Sequence, residues 1–419
     1  MVDGITVQAE GVAHRERAID VDAERARTPG AKTRHHFNAA GAALQTSQTV
    51  DAVVDHLRAE EAEGGYEAAA RNRHLVDAAY TNAALLLGGK PAEIALFDSA
   101  TTGMRQVLDA LRLRAGRQVV VSRSTYVSQA LQLLTLASES AIDLVVIPNA
   151  ADGGMDLDVL ESTLAGSADA VVCVAHIPTS SGLVEPVRVI GELTRRHGAL
   201  YLLDATQSVG QLDVRVRDIG CDVLVTTGRK FLRAPRGTGL AWVSEHLLAH
   251  LVPTAPDVRA SSWTSESNWT VSPTAQMLES WEHSVASRIG LAVALEQALE
   301  RGMGPTAAYL QALAADLRAQ LAGLDGVEVT DPAASASAIV TFRVTGVPDR
   351  IVCDALRDRN IFAISIPAAH AQWDLGSRGV PSVVRASVHV YNNTADIEAL
   401  VNAVSDIALL HRGVTDSAS

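Results

Sequence analysis

Between residues 93 and 244, short apolar runs alternate with amphipathic stretches. The runs EIALF, RQVVVS, IDLVVIP, ADAVVCVAH, ALYLLDA, CDVLVTT and TGLAWVS are rich in Val, Ile and Leu and apolar on both faces. Such strands belong in a mostly parallel sheet covered by helices on both sides. Segments such as MRQVLDALRL and VRVIGELTRRHG, which lie between them, are predicted helices. The predicted fold class is α/β, with a seven-stranded, mostly parallel sheet between helices. Beyond about Pro273 the pattern changes. ESWEHSVASRIGLAVALEQALERG and AAYLQALAADLRAQLAGL predict two long amphipathic helices. ASAIVTFRV, the helical RIVCDALRDRN, SVVRASVHVYN and the helical DIEALVNAVSDIALLH then form a smaller α/β unit. The expected division is an N-terminal arm over 1–36, a large domain over 37–275 and a small C-terminal domain over 276–419, with a cleft between the two domains. The polar stretch from Met1 to about Arg34 is expected to be loose, and the tail GVTDSAS to fray.

Composition narrows the class. The 419 residues carry a net charge of -13 and are only 4% aromatic, which argues against a nucleic-acid partner: there is neither a basic face nor a stacking platform. No apolar run approaches a membrane span, and the first 20 residues lack the apolar core of a secretory signal, so a cytoplasmic protein is expected. Cys173, Cys221 and Cys353 are far apart and read as small buried hydrophobes in a reducing compartment. No Cys-x-x-Cys pair or Cys/His cluster marks a metal site.

Among the 35 basic residues, lysine occurs only at Lys32, Lys90 and Lys230. The polar residues just past the other strands give the position of Lys230 its meaning. In an open α/β sheet, ligands bind outside the carboxyl ends of the strands. Ser99-Ala100-Thr101-Thr102-Gly103 comes after the first strand and opens a helix, where free N–H groups suit a phosphate. Ser124-Thr125-Tyr126 comes after the second, His176 to Gly182 after the fourth, Asp204-Ala205-Thr206-Gln207 after the fifth and Thr226-Thr227-Gly228-Arg229-Lys230 after the sixth. Each cluster alone has an ordinary reading: SATTG and Asp204 as helix caps, Tyr126 as core, His176 as a satisfied polar residue. Together they fall at one end of one sheet. A phosphate cradle, an aromatic ring, an acid and a scarce lysine match pyridoxal 5'-phosphate (PLP), which needs a lysine for its aldehyde and a carboxylate for its pyridine nitrogen. A dinucleotide site fits worse, since no G-x-G-x-x-G comes after an early strand, and the Lys230 turn lacks the GxxxxGK[ST] order of a nucleotide P-loop.

The stretch YLLDATQSVGQLDV…DVLVTTGRKFLRAPRGTGLAWV resembles the class V aminotransferase and cysteine desulfurase superfamily of fold-type I PLP enzymes. The resemblance runs over roughly residues 37 to 405 and takes in HFNAAGAAL, EGGYEAA, SATTG, HIPTSSG, WEHSVA and VRASVHVYNN. It implies that Lys230 is the Schiff-base lysine, Asp204 the partner of the pyridine nitrogen and Gln207 the partner of the ring 3'-oxygen. Ala100 and Thr101 would form the phosphate cup, with Thr227 as a second hydroxyl and Arg229 as an added cation. Tyr126 would stack on the ring, and Arg385 would grip the substrate α-carboxylate with a two-pronged hydrogen bond. Thr179 stands where many members carry asparagine near the ring oxygen. Asn38, His176, His370 and Trp373 are candidate substrate-pocket residues.

Desulfurases also need a nucleophilic cysteine on a loop before Arg385. The segment here, IFAISIPAAHAQWDLGSRGVPS, has none, and Cys353 lies earlier, in the helical RIVCDALRDRN. Persulfide-forming desulfuration is therefore not expected. The opening FNAAGAALQTSQTV and the block TTGRKFLRAPRGTG are most similar to a narrower branch. It holds hercynylcysteine sulfoxide lyases, isopenicillin N epimerase-like proteins and PLP enzymes of lincosamide antibiotic pathways. That branch implies a C–S β-lyase acting on an S-substituted cysteine, a thioether or sulfoxide conjugate, in secondary metabolism. Decarboxylation with oxidative deamination, epimerisation and transamination are the alternatives, and a non-catalytic PLP-fold protein is the remaining one. The resemblance also implies a homodimer with sites at the interface. The loop RASSWTSESNWT would either reach the neighbour's cofactor phosphate or be an ordinary surface loop.

Overall fold

The structure is a computed structural model that describes residues 18–167 and 169–417. Its centre is a seven-stranded sheet made of β1 (Ile94–Phe97), β2 (Gln118–Ser122), β3 (Asp143–Ile147), β4 (Val171–Ala175), β5 (Leu200–Asp204), β6 (Val223–Thr227) and β7 (Gly239–Val243). The strand order is β1-β7-β6-β5-β4-β2-β3. Strands β6, β5, β4, β2 and β3 run parallel, with Cys173 opposite Leu202 and Leu203 opposite Leu224. Strand β7 is antiparallel to both β6 and β1, so the sheet is mixed at that edge. The two faces are both covered, which is why the strands read as unbroken apolar runs. Val172, Val174, Tyr201 and Leu203 point into one core layer, while Val171, Cys173 and Leu202 point into the other.

The helices that matter for the site are α1 (Val21–Ala26), α2 (Ser47–Glu63), α3 (Arg73–Leu87), α4 (Ala100–Ala110), α5 (Val127–Glu139), α6 (Leu157–Ala165), α7 (Val187–Arg196), α8 (Val285–Arg301), α9 (Met303–Ala322), α10 (Asp349–Asp358) and α11 (Thr394–Ser417). Hairpin strands β8 (Ser261–Ser265) and β9 (Asn268–Val271) leave the body before α8. The small domain is a four-stranded antiparallel sheet of β10 (Val327–Val329), β11 (Ile339–Val344), β12 (Ile364–Pro367) and β13 (Ser382–Ser387), in the order β10-β11-β13-β12. Leu313 and Leu317 of α9, Val352 and Leu356 of α10, and Ile397 and Leu400 of α11 close its core. No described helix is long and apolar enough to cross a membrane.

Packing redraws the expected boundaries. Met1 to Arg17, most of the expected arm, lie outside the described residues. From Ala18 onward the segment is folded: α1 buries Glu24, and Thr28 and Ala31 are buried after it. Phe37, Ala39 and Ala40, assigned by the pattern to the large domain, pack in the small-domain core. Helix α8, assigned to the small domain, packs on α2 and α3 and puts Leu291, Leu295 and Ala298 into the large-domain core. The backbone of the expected frayed tail continues α11 to Ser417, and residues 418–419 lie outside the described residues.

Helix α8 also starts later than its apolar pattern suggests. Ser284 caps it by accepting from the Ser287 N–H, so Glu279 is left outside the helix. Glu279 is fully buried and accepts from Tyr80 (2.9 Å to each oxygen), the Leu96 N–H (2.9 Å), Arg288 (3.0 Å) and Arg259 (3.2 Å). This one carboxylate ties α3, β1, α8 and the root of the hairpin together. Removing one partner of a buried ionic network leaves the others desolvated, so Glu279→Ala should lower stability to urea by about 3–5 kcal/mol. A loss under about 1 kcal/mol would show that the network is dispensable.

Candidate active site

The parallel strands end side by side, and the polar residues after them face one cleft. Its lining includes Ser99, Ala100, Thr101, Tyr126, Gln129, Asp204, Thr206, Thr227, Arg229 and Lys230. The structure thus brings together the clusters after β1, β2, β5 and β6.

Lys230 comes after β6 in a tight turn and is buried, 6% exposed. Its Nζ makes no hydrogen bond or ion pair among the described residues; it lies 5.9 Å from the centre of the Tyr126 ring. Burial first, then the Arg229 and Arg385 guanidiniums, push the amine well below its ordinary value, and the Asp204 carboxylate offsets only part of this. A lysine so placed has its neutral form favoured over its ammonium.

Asp204 ends β5, and its Oδ1 accepts from the Thr206 N–H at 2.9 Å. Gln207 donates from Nε2 to the Ala40 carbonyl at 3.2 Å, and its Oε1 is buried without a partner. At the start of α4, Ser99 Oγ accepts from the Thr102 N–H, while no acceptor among the described residues meets the N–H groups of Ala100 and Thr101. Strand β7 passes close behind them: a Cβ on Gly239 would lie 2.7 Å from the Ser99 carbonyl carbon. Glycine there lets the helix start sit directly on the sheet. Thr227 Oγ1 donates to the Thr238 carbonyl (3.0 Å) and accepts from Arg229 Nη1 (3.0 Å). Its single proton is engaged, so the free donors beside the helix start are those of Arg229.

Arg385 comes from the small domain, on β13 opposite Thr341 and Ile364. It is 3% exposed and has no carboxylate partner among the described residues. Its Nη1 donates to the Thr179 hydroxyl (2.7 Å) and carbonyl (3.2 Å), its Nη2 lies 3.4 Å from Asn38 Oδ1, and its Nε is buried without a partner. Burial, opposed by Tyr126 and reinforced by Arg229, brings its pKa down to about 10, so it remains a cation. Thr179, expected near a ring oxygen, is thus placed as a partner of Arg385. Asn38 arrives because Phe37 and Ala40 are hydrogen-bonded to Ser387 at the end of β13.

His176 is the expected residue that stands apart. Its N–H donates to the Asp204 carbonyl at 2.9 Å, but the residue lines a separate cleft with Glu185, Leu212 and Asp213. Burial pushes its imidazole down to about 4. Trp373 packs against the outer core layer of the large domain, and His370 is exposed. Gln129, Gln132 and Ser128 line the main cleft beyond the expected set; their signal is their position in the first turns of α5, just after Tyr126.

These groups fit PLP. Two free N–H groups with Arg229 suit a phosphate, and a carboxylate at the end of β5 in the same cleft suits a ring nitrogen. The unpaired Lys230 amine and the partnerless Gln207 Oε1 and Arg385 Nε are buried polar groups that protein atoms leave unsatisfied.

Comparison with known proteins agrees. The chain is 26% identical over 407 residues to a probable cysteine desulfurase of Halobacterium salinarum, covering 93% of this chain and 96% of that relative. It is 26% identical over 389 residues to a cysteine desulfurase of Escherichia coli, covering 89% and 93%. Among solved structures, the apo cysteine desulfurase of Thermococcus onnurineus NA1 superposes with a TM-score of 0.86 at 22% identity, covering 94% of this chain and 98% of that one. The cystine C–S lyase C-DES, in complex with its product cysteine persulfide, superposes with a TM-score of 0.82 at 20% identity, covering 90% and 99%. The aminotransferase class-V family matches residues 35–400, and the chain belongs to that family as a PLP-dependent enzyme of fold-type I.

Proposed function

We propose that the enzyme is a C–S β-lyase that cleaves an S-substituted cysteine, with water consumed and a thiol, pyruvate and ammonium released; a sulfoxide conjugate would release a sulfenic acid in place of the thiol. The observation that carries this reading is the lack of any thiol placed to capture sulfur. The segment between β12 and β13 contains no cysteine. It forms a π-helical turn over Gln372–Gly376 that is tied to the large domain. Ser180 donates to Asp374, Arg123 donates to Ser377 at 3.0 Å, and Trp373 packs on the outer core layer. Cys173, Cys221 and Cys353 are all buried, and burial pushes the Cys173 and Cys353 thiols up to about 12. A thiolate is the sulfur nucleophile, so a sulfur fragment leaving the substrate here departs free rather than on the protein.

Bound PLP supplies an electron sink that lets bonds at Cα and Cβ break heterolytically. The protein's own groups do the rest. Ala100, Thr101 and Arg229 would hold the phosphate, with Thr227 orienting Arg229. Asp204 would hold the ring nitrogen, Gln207 and Tyr126 would line the ring, and Arg385, steadied by Thr179 and Asn38, would bind the substrate carboxylate. Lys230, whose buried amine is pushed toward its neutral form, takes the Cα proton as general base. The sulfur then leaves with its bonding electrons.

A second copy would complete the site. Hairpin β8–β9 carries Trp263 (81% exposed) and Trp269 (59% exposed) away from the body. Packing of that hairpin on a partner near its cofactor phosphate would bury both rings. The three free, buried cysteines are compatible with a reducing cytoplasm. A cysteine conjugate of secondary metabolism is the substrate class this reading favours.

Purified enzyme incubated with S-alkyl-cysteines and cysteine sulfoxides should release pyruvate and ammonium in equal amounts, and Lys230→Ala should abolish release. Carbon dioxide with an aldehyde would replace this reading with oxidative decarboxylation, and alanine with persulfide from cysteine would replace it with desulfuration. Arg385→Gln should lower kcat/KM by roughly 10- to 100-fold, the value of about 1.5–3 kcal/mol for hydrogen bonds to a charged group. An unchanged kcat/KM would remove Arg385 from the carboxylate role.

The Lys230 amine also makes a pH prediction. In the cofactor-free protein burial holds its folded pKa well below the ordinary value of 10.5 that the unfolded chain keeps. The unfolded state then binds the extra proton, so stability rises toward pH 10.5 and is lost as pH falls toward the folded value. Cofactor-free Lys230→Met should therefore resist urea better than the parent at neutral pH, with the gap closing as pH approaches 10.5. A gap that does not change with pH would mean that the amine is charged when folded.

A further inference from the structure

Immediately after Lys230, the backbone of Phe231 to Arg233 is gripped from two sides by groups that belong to neither the cofactor cleft nor the large sheet. Arg233 is 2% exposed and has φ 64°, the left-handed region that a long side chain rarely adopts. Its N–H donates to the Lys230 carbonyl at 2.9 Å, so this conformation closes the turn that carries the lysine. Every nitrogen of its guanidinium is engaged: Nη1 with Glu24 at 2.7 Å, Nη2 with the Thr28 hydroxyl, and Nε with the Leu44 carbonyl at 2.8 Å. The guanidinium carbon lies 5.2 Å from the centre of the Tyr391 ring.

Glu24 sits among three guanidiniums, those of Arg27, Arg233 and Arg301. Burial raises its pKa, but the Arg27 hydrogen bond and the charges of Arg301 and Arg233 outweigh this and keep it ionised.

The other grip comes from the small domain. His389 Nδ1 accepts from the Val390 N–H at 2.8 Å, so the ring proton is on Nε2, which donates to the Phe231 carbonyl at 3.1 Å. The imidazole stacks on Phe231 (5.7 Å) and on Tyr391 (5.0 Å). Behind this carbonyl the chain approaches with Gly210 at φ 96°, where any Cβ would lie 2.4 Å from the Phe231 carbonyl carbon. The turn has no slack on that side.

A strained residue persists only where its surroundings over-determine it. Without Glu24, Arg233 faces Arg301 and Arg27 with no counter-charge, and relaxing to an ordinary backbone angle would carry the Lys230 carbonyl and Cα with it. We propose that the buried Glu24–Arg233 pair is a positioning device for the catalytic lysine, through which the N-terminal helix sets where the Lys230 amine stands. This rests on Lys230 being the cofactor lysine; it adds that Glu24, outside the cleft and on a segment before the family match, tunes that lysine through Arg233.

The test uses the cofactor-loaded protein and its visible absorption band. In Glu24→Gln, the pH midpoint of that band should move, and kcat should fall by about 10- to 100-fold, as for a catalytic group displaced by about an ångström. KM should change by less than about 3-fold, because uniform substrate binding is untouched. Arg233→Gly is the second variant: it relieves the left-handed strain and removes the cation, while Arg27 and Arg301 remain as counter-charges for Glu24. Its melting temperature should fall through the lost bonds to Thr28 and Leu44, and its band midpoint should be displaced as well. If both variants keep the parent's midpoint and kcat and differ only in melting temperature, the pair is a structural clamp and the proposal fails. Lys230→Ala separates the premise: persistence of the band in that variant would overturn the reading of Lys230 itself, whereas its loss leaves the two network variants as the test of positioning.

Discussion

The burial of one lysine amine at the end of the large sheet is the constraint on which this cleft depends. Ammonium is strongly hydrated, and enclosing it at the end of a buried strand, between two guanidiniums, disfavours its charge. Asp204 pulls the other way but does not win. Arginine at position 230 could neither lose its proton nor react, so it could not substitute for lysine there. The chain uses arginine for nearly every structural cation and keeps one of its three lysines for this place.

The site is assembled from three parts of the chain. The large sheet presents the start of α4, Asp204 and Lys230 at its carboxyl edge. The small domain contributes one cation, Arg385, with no carboxylate partner among the described residues. The N-terminal segment joins them: Asn38 lies against Arg385, the Ala40 carbonyl accepts from Gln207, and the Ala43 N–H donates to the Arg229 carbonyl at 2.9 Å. Movement of the small domain relative to the sheet would therefore be felt at the substrate carboxylate and, through His389 and Phe231, in the lysine turn.

The likeness to desulfurases and the absence of a placed thiol bear on different steps. The same cofactor residues can labilise Cα and Cβ bonds in both kinds of enzyme. What a desulfurase adds is a covalent acceptor for sulfur. Here the corresponding segment is a tethered turn bearing Trp373 and Asp374, and it contains no cysteine.

The fold class was legible in the sequence because it rests on local signals, and so was the meeting of several strand-end clusters in one cleft. Apolar runs of strand length, small hydroxylated residues at strand ends and a scarce lysine need no knowledge of distant contacts. Glu279 reads as helical in the sequence because apolar periodicity does not show where a cap falls; Ser284 decides that. Glu24 looks like one charge in a polar arm, and Arg233 like another arginine in a basic turn. Only the folded chain brings them to 2.7 Å across 209 residues. Likewise His176 reads as a site residue by strand order, yet it lines another cleft. By itself the sequence determined which chemistry is available, since side-chain types and their strand-end spacing are local. The tertiary structure decided what each charge faces, and hence which amine has its pKa pushed down, because burial and long-range pairing exist only after the chain has closed.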